Sequence, residues 1–99
     1  MKKPIKILWD NEAKEDLKLI FDFIKIKSLQ GAKNVINDII KQSKSIHFAE
    51  QYQVDEFLGE PYRKMNVRDF KIIYKVQNET EIRILRIFDE RQNPKNLNK

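Results

Sequence analysis

YRKMNVRDFKIIYKVQNETEIRILRIFD, residues 62–89, is the stretch that decides the fold. Apolar and polar side chains alternate along it with a period of two, broken by polar pairs at Arg68-Asp69 and Asn78-Glu79. The pattern predicts three strands, over 62–67, 70–77 and 81–89, joined by two tight turns. Pairing Val67 with Phe70 sets Met65, Val67, Phe70, Ile72, Tyr74 and Val76 on one face. A two-residue turn at Asn78-Glu79 adds Leu85 and Ile87 to that face, which is read as the core. The other face would carry Tyr62, Lys64, Lys71, Ile73, Lys75, Ile82, Ile84, Arg86 and Phe88, an apolar and basic mixture unusual for a surface that meets only water. Such a face suits a hydrophobic, acidic partner segment or a nucleic-acid strand. The plainer alternative is a sheet partly covered by the chain's own residues 45–61. A one-residue slip in the second turn would exchange the two faces of the last strand.

Upstream the period lengthens. Residues 5–9 alternate as a short first strand, and Asp10 or Asn11 then offers a helix cap, with Glu12, Glu15 and Asp16 expected to place negative charge in the first turn. Ala13, Leu17, Ile20 and Ile24 recur at helical spacing with Phe21 widening the stripe, which predicts an amphipathic helix over about residues 11–27. Ser28 marks a stop and a new start. Leu29, Ala32, Val35, Ile36, Ile39 and Ile40 form a second stripe ending near 43–46. Two helices with almost no linker fold back as an antiparallel hairpin. Residues 45–61 read as a loop, and the polar tail from Gln92 to Lys99 is expected to fray. The expected fold is therefore α+β: strand–helix–helix–strand–strand–strand, one domain over residues 1–99, with the hairpin on one face of a mainly antiparallel sheet. Leu17, Ile20, Ile36, Ile39, Ile72 and Leu85 are expected between the layers.

Composition narrows the chemistry. With no cysteine and a single histidine, His47, the chain offers no disulfide, thiolate nucleophile or histidine-rich metal centre. The two glycines, Gly31 and Gly59, form no phosphate-cradling loop, so neither metal nor cofactor is expected. The basic start, Met1-Lys2-Lys3, has no apolar core behind it, and no run is long enough to span a bilayer; a cytoplasmic protein without membrane contact is expected. Twenty Lys and Arg against 15 Asp and Glu give a net charge of +5, which favours acidic proteins or nucleic acids as partners.

Against this frame the chain resembles the RelE/ParE superfamily of type II toxins. Ile7-Leu8-Trp9-Asp10, Ala13, Asp16-Leu17, Ile20 and Phe23-Ile24 look like the family's opening strand and helix, and Ala32 like the small residue of its second helix. Leu58-Gly59, Tyr62-Arg63-Lys64-Met65, Val67, Phe70-Lys71-Ile72-Ile73-Tyr74 and Ile84-Leu85-Arg86-Ile87-Phe88 resemble its three-strand finish. Arg91-Gln92-Asn93-Pro94 resembles its short basic ending. The resemblance implies a toxin neutralised by a cognate antitoxin, contacting operator DNA only within that complex. It also implies one of two targets: DNA gyrase in the ParE-like branch, or ribosome-bound messenger RNA in the RelE-like branch. An inactive module that only binds antitoxin is a third possibility.

Metal-free RNA cleavage needs a group to activate the 2′-hydroxyl, a proton donor for the leaving oxygen, and cations for the phosphate. Lys64, Lys71, Arg83, Arg86 and Arg91 are the candidate cations. RelE-like toxins commonly place a Tyr or His near the C-terminus, yet after Tyr74 this chain has neither, leaving Asp89 or Glu90 to serve. His47 reads as a loop residue, Tyr62 as packing, and Arg63 as either a structural or a functional cation. That balance favours the ParE-like branch, with a metal-independent endoribonuclease as the rival. Lys71, Lys75, Ile84, Arg86, Phe88 and Arg91 are the expected antitoxin- or target-binding residues.

Overall fold

Between a four-residue strand, β1 (Lys6–Trp9), and three longer ones, β2 (Tyr62–Val67), β3 (Phe70–Asn78) and β4 (Glu81–Asp89), the chain inserts two helices, α1 (Asn11–Lys25) and α2 (Leu29–Ser43). One turn of 3₁₀ helix, Glu90–Gln92, follows. The computed structural model describes residues 4–92; the expected fraying beyond Gln92 lies outside them. Strand order is β1-β4-β3-β2, with β1 parallel to β4 and the other pairs antiparallel. This is the α+β arrangement the periodicities predict.

Ser28 makes the sharp corner between the helices. The Ser28 and Lys27 N–H groups both donate to the Ile24 carbonyl, ending α1, and the Ser28 hydroxyl then accepts the Gly31 N–H at 2.9 Å to start α2. A Cβ on Gly31 would stand 3.1 Å from that hydroxyl oxygen, so the glycine leaves room for the cap. The hairpin lays Ala13, Val35 and Ile39 against Met65, Ile72, Tyr74, Ile82, Ile84 and Ile87, with Ile7, Trp9, Leu17 and Ile20 packed around them.

The last hairpin departs from the expected register. Asn78 pairs with Glu81, so Glu79 and Thr80, not Asn78 and Glu79, form the turn. Two irregularities follow: Gln77 is extra on β3, and Leu85 is extra on β4. Between these bulges Val76 faces Ile82 and Tyr74 faces Ile84; beyond them Ile72 faces Ile87. Each bulge shifts the pairing by one residue, which turns Ile82 and Ile84 to the core. Both are fully buried, so their placement on the open face is corrected, and Ile84 cannot be a binding residue. Leu85, expected in the core, is the bulged residue and lies half-buried outside it; Ile36 is likewise half-buried.

Residues 45–61 are less loose than a loop reading suggests. Val54 bridges Arg63, the Asp55 N–H donates to the Tyr62 carbonyl, and the Lys64 N–H donates to the Gln53 carbonyl. These bonds dress the outer edge of β2. The buried Tyr74 hydroxyl donates to the Ala49 carbonyl at 2.9 Å, and Arg63 donates to the Tyr52 carbonyl at 2.7 Å. Arg63 is thus a structural cation.

Candidate functional site

Cross-strand pairing organises the face away from the helices into three rows. Tyr62 pairs with Lys75 and Lys75 with Arg83; Lys64 pairs with Ile73 and Ile73 with Arg86; Asn66 pairs with Lys71 and Lys71 with Phe88. The register therefore brings Lys64, Lys71, Lys75, Arg83, Arg86 and Phe88 together. Ile73 is buried among them but stands outside the main core cluster.

Nearly every cation in these rows is already answered by a carboxylate. Lys64 pairs with Glu56, Lys71 Nζ lies 3.7 Å from Asp55, Arg83 lies 3.5 Å from Asp10, and Arg86 bonds Asp16 at 2.9 Å. Arg91 sits off the rows, held by Asp89 at 3.0 Å and Asp69 at 3.6 Å. Lys75 is the exception among the described residues. Rings take up further charge: Arg86 stacks 5.1 Å from the centroid of Phe88, and Arg91 lies 5.8 Å from that of Phe70.

Asp16 has a second task. β1 stops at Trp9, opposite Ile84, and beyond that point the edge of β4 has no neighbouring strand. There the Asp16 carboxylate accepts the Ile87 N–H at 2.8 Å while holding Arg86. Only Glu12 lies in the first turn of α1, with Glu15 and Asp16 beyond it, and nothing in the local pattern separates Asp16 from those acids, so its task escapes a sequence reading.

Proton donors are scarce around the rows. Burial pushes the Tyr74 phenol up, and its hydroxyl is engaged inside the fold. Burial alone would raise Asp89, but the side chain and N–H of Arg91 outweigh it and hold that carboxyl below its ordinary range. Tyr62 is half-buried beside Lys75. His47 lines a separate cavity with Ile5, Ile7 and Ile46. No group of three or more metal-ligating side chains is assembled among the described residues.

Asp55, which carries no sequence flag beyond its distance from Gly59, is buried. Its Oδ1 accepts the N–H groups of Phe57 and Leu58, both at 2.9 Å. Burial favours its neutral form, but those two N–H groups and the charges of Lys71 and Lys64 prevail and hold the carboxyl low.

A further exposed apolar surface lies at the turn end of the helical hairpin. Leu19, Phe23, Ile26 and Leu29 are all exposed, Ile26 to 81%. A groove of about 540 Å³ runs between Phe23, Ile26 and Phe70, and Lys27, Arg68 and Arg91 line it together with Asp69. Amphipathic periodicity misses this surface, because Phe23 and Ile26 lie off the stripe of Ala13, Leu17, Ile20 and Ile24.

Comparisons with known proteins bear on the whole architecture. The family model described as the ParE toxin of the type II toxin–antitoxin system parDE matches residues 7–94. Among solved structures, a chain of the chromosomal ParDE toxin–antitoxin system from P. aeruginosa is similar over 86% of this chain and 95% of its own, at 23% identity and a TM-score of 0.69. A chain of the E. coli DinJ-YafQ complex aligns over 90% of this chain and 97% of its own, at 17% identity and a TM-score of 0.50. A copper-bound mutant toxin from Helicobacter pylori aligns over 90% and 98% respectively, also at 17% identity and a TM-score of 0.50. No curated protein matches.

Proposed function

The chain belongs to the ParE toxin family of type II toxin–antitoxin systems, and on that premise we propose that it poisons DNA gyrase in the cytoplasm rather than cutting RNA. The observation that carries this reading is the state of the sheet's cations. Cleavage without a metal needs positive charge free to meet the phosphate as it gains negative charge, with a proton donor beside it. Lys64, Lys71, Arg83, Arg86 and Arg91 each face a carboxylate of the chain itself, so a phosphate would have to displace that partner first. Asp89 is held deprotonated and the Tyr74 hydroxyl is sealed in the core, so neither is placed to act as the acid. Binding a protein asks for no such reserve.

We propose that the cognate antitoxin docks in the groove beside Phe23, Ile26 and Phe70. With Ile84 turned inward, the sheet face keeps only Phe88 as an exposed large apolar anchor, whereas the hairpin end presents four. Arg68 and Arg91 in the groove are paired with Asp38, Asp69 and Asp89, whereas Lys27 pairs with no carboxylate among the described residues and favours an acidic residue beside the apolar anchors.

Two assays on purified toxin test the target. Gyrase supercoiling is expected to fall as toxin is added, while messenger RNA in a translating system stays intact. Ribosome-dependent cleavage that disappears on Lys71→Ala or Arg86→Ala would reverse the assignment.

A further inference from the structure

We infer that the turn over residues 55–61 is a preformed wedge through which the toxin engages its protein target, seating Phe57 and Leu58 in an apolar pocket of that protein. The inference rests on the reading that the target is a protein. Its starting point is a contradiction in composition: tight turns normally carry small or polar residues, yet this one exposes Phe57 to 69% and Leu58 to 55% at its tip.

The turn is built to hold them there. Asp55 Oδ1 accepts both of their N–H groups, the Gly59 N–H donates to the Asp55 carbonyl at 2.8 Å, and the Tyr62 N–H donates to the Gly59 carbonyl at 2.9 Å. Gly59 takes φ +74°, a conformation that a side chain would strain. Below the tip, the Asp55–Tyr62 and Lys64–Gln53 backbone bonds fasten the turn to β2. A loop already ordered in this way loses little conformational freedom on docking, so its apolar contacts translate more fully into affinity.

Charge identifies the class of occupant. Glu56 meets Lys64, Asp55 meets Lys71, and Glu60 meets Arg63, so three cations and three carboxylates cancel around the tip. The Lys71 ammonium also lies 5.7 Å from the centroid of the Phe57 ring. Nucleic-acid surfaces are recognised chiefly through unpaired cations that release counterions. A neutral, apolar, convex tip instead matches an uncharged pocket in a protein, where one or two buried aromatic or aliphatic anchors dominate binding. The groove assigned to the antitoxin contains none of residues 53–64, so the two surfaces are separate.

The test uses the full chain carrying Phe57→Ser together with Leu58→Ser, and a second variant, Phe57→Leu with Leu58→Phe, that keeps the tip apolar. Far-UV circular dichroism and thermal melts of both should match the wild type, since neither side chain belongs to the core. Wild-type toxin should inhibit gyrase supercoiling. The serine variant should need at least about tenfold more protein for the same inhibition, the swapped variant should inhibit within a few-fold of the wild type, and both should bind antitoxin normally. Equal inhibition by wild type and serine variant overturns the wedge and leaves the gyrase reading standing. A wild type without effect on gyrase overturns that reading and this inference with it. Two other outcomes also refute it: loss of binding to a labelled single-stranded RNA in place of lost gyrase inhibition, or lost self-association in sedimentation with gyrase inhibition intact. Should the serine variant unfold, the swapped variant decides, because folding together with a tenfold loss of inhibition would contradict an apolar wedge.

Discussion

Replacing Asp16 by alanine removes two partners from β4 at once, and their contributions differ in kind. The Ile87 N–H, donating to Asp16 at 2.8 Å, lies where β1 has ended and no strand is present to accept it. Asp16 itself is only 11% exposed, so little water can take over. An orphaned buried N–H costs about 1–3 kcal/mol. The Arg86 guanidinium is 43% exposed, and solvent screens its half of the interaction to about 0–1 kcal/mol. Together these give about 1–4 kcal/mol, a large share of the 5–15 kcal/mol usual for a domain. For a chain of this length that lowers the melting temperature by about 4–30 °C. Urea and thermal unfolding of Asp16→Ala, Arg86→Ala and the double variant would separate the terms. Arg86→Ala should cost under about 1 kcal/mol, with Asp16→Ala retaining most of its effect in that background. Equal losses from the two single variants would refute the edge-capping account, as would an Asp16→Ala change below about 0.5 kcal/mol.

Ile84→Ala should destabilise the fold by about 2–5 kcal/mol while Leu85→Ala costs about 1 kcal/mol or less, an order that denaturant melts can check and that the unbulged register would invert. Asp55, with its carboxyl held below the ordinary range, contributes stability that is complete above the unfolded value of about 3.9 and is lost as pH falls through the lower folded value. Asp55→Asn should therefore reduce stability at pH 7 and flatten its decline below the unfolded value of about 3.9, measured by urea unfolding at each pH. Phe23→Asp with Ile26→Asp should leave the melting temperature nearly unchanged but weaken binding of the protein encoded beside this gene by at least about a hundredfold in calorimetry; undiminished affinity would move the antitoxin elsewhere.

Element order and type were legible because each depends on a local period. The β2 and β4 boundaries coincide with those read from alternation, and Ser28 marks the helix corner as its cap chemistry suggests. The faces of β4 were misread because strict alternation has no place for a bulge. Its trace is visible in hindsight: Ile82, Ile84 and Ile87 are spaced by two and then three residues, so a strand that buries all three must gain a residue between the last pair. Alternation places Lys64, Lys71, Lys75, Arg86 and Phe88 on one face correctly, yet the neutralisation of Lys64, Lys71 and Arg86 leaves no trace in it. The carboxylates responsible come from α1 and from the segment before β2, at separations no pattern in the strand records. Leu58 enters the sequence reading only through a family likeness and Phe57 not at all, because a turn held by side chain-to-backbone bonds has no period to find.

The parallel pairing of β1 with β4 also governs when the molecule can come into being. Trp9 and Ile84 are neighbours in space but 75 positions apart in the chain, and β4 is the strand that joins β1 to the rest of the sheet. During synthesis the helical hairpin can form early, from contacts close in sequence, but β1 waits without a neighbour until β4 has left the ribosome. The edge bond from Asp16 to Ile87 waits with it. A nascent chain of this family member consequently cannot close its sheet before β4 has been made, however early its helices form.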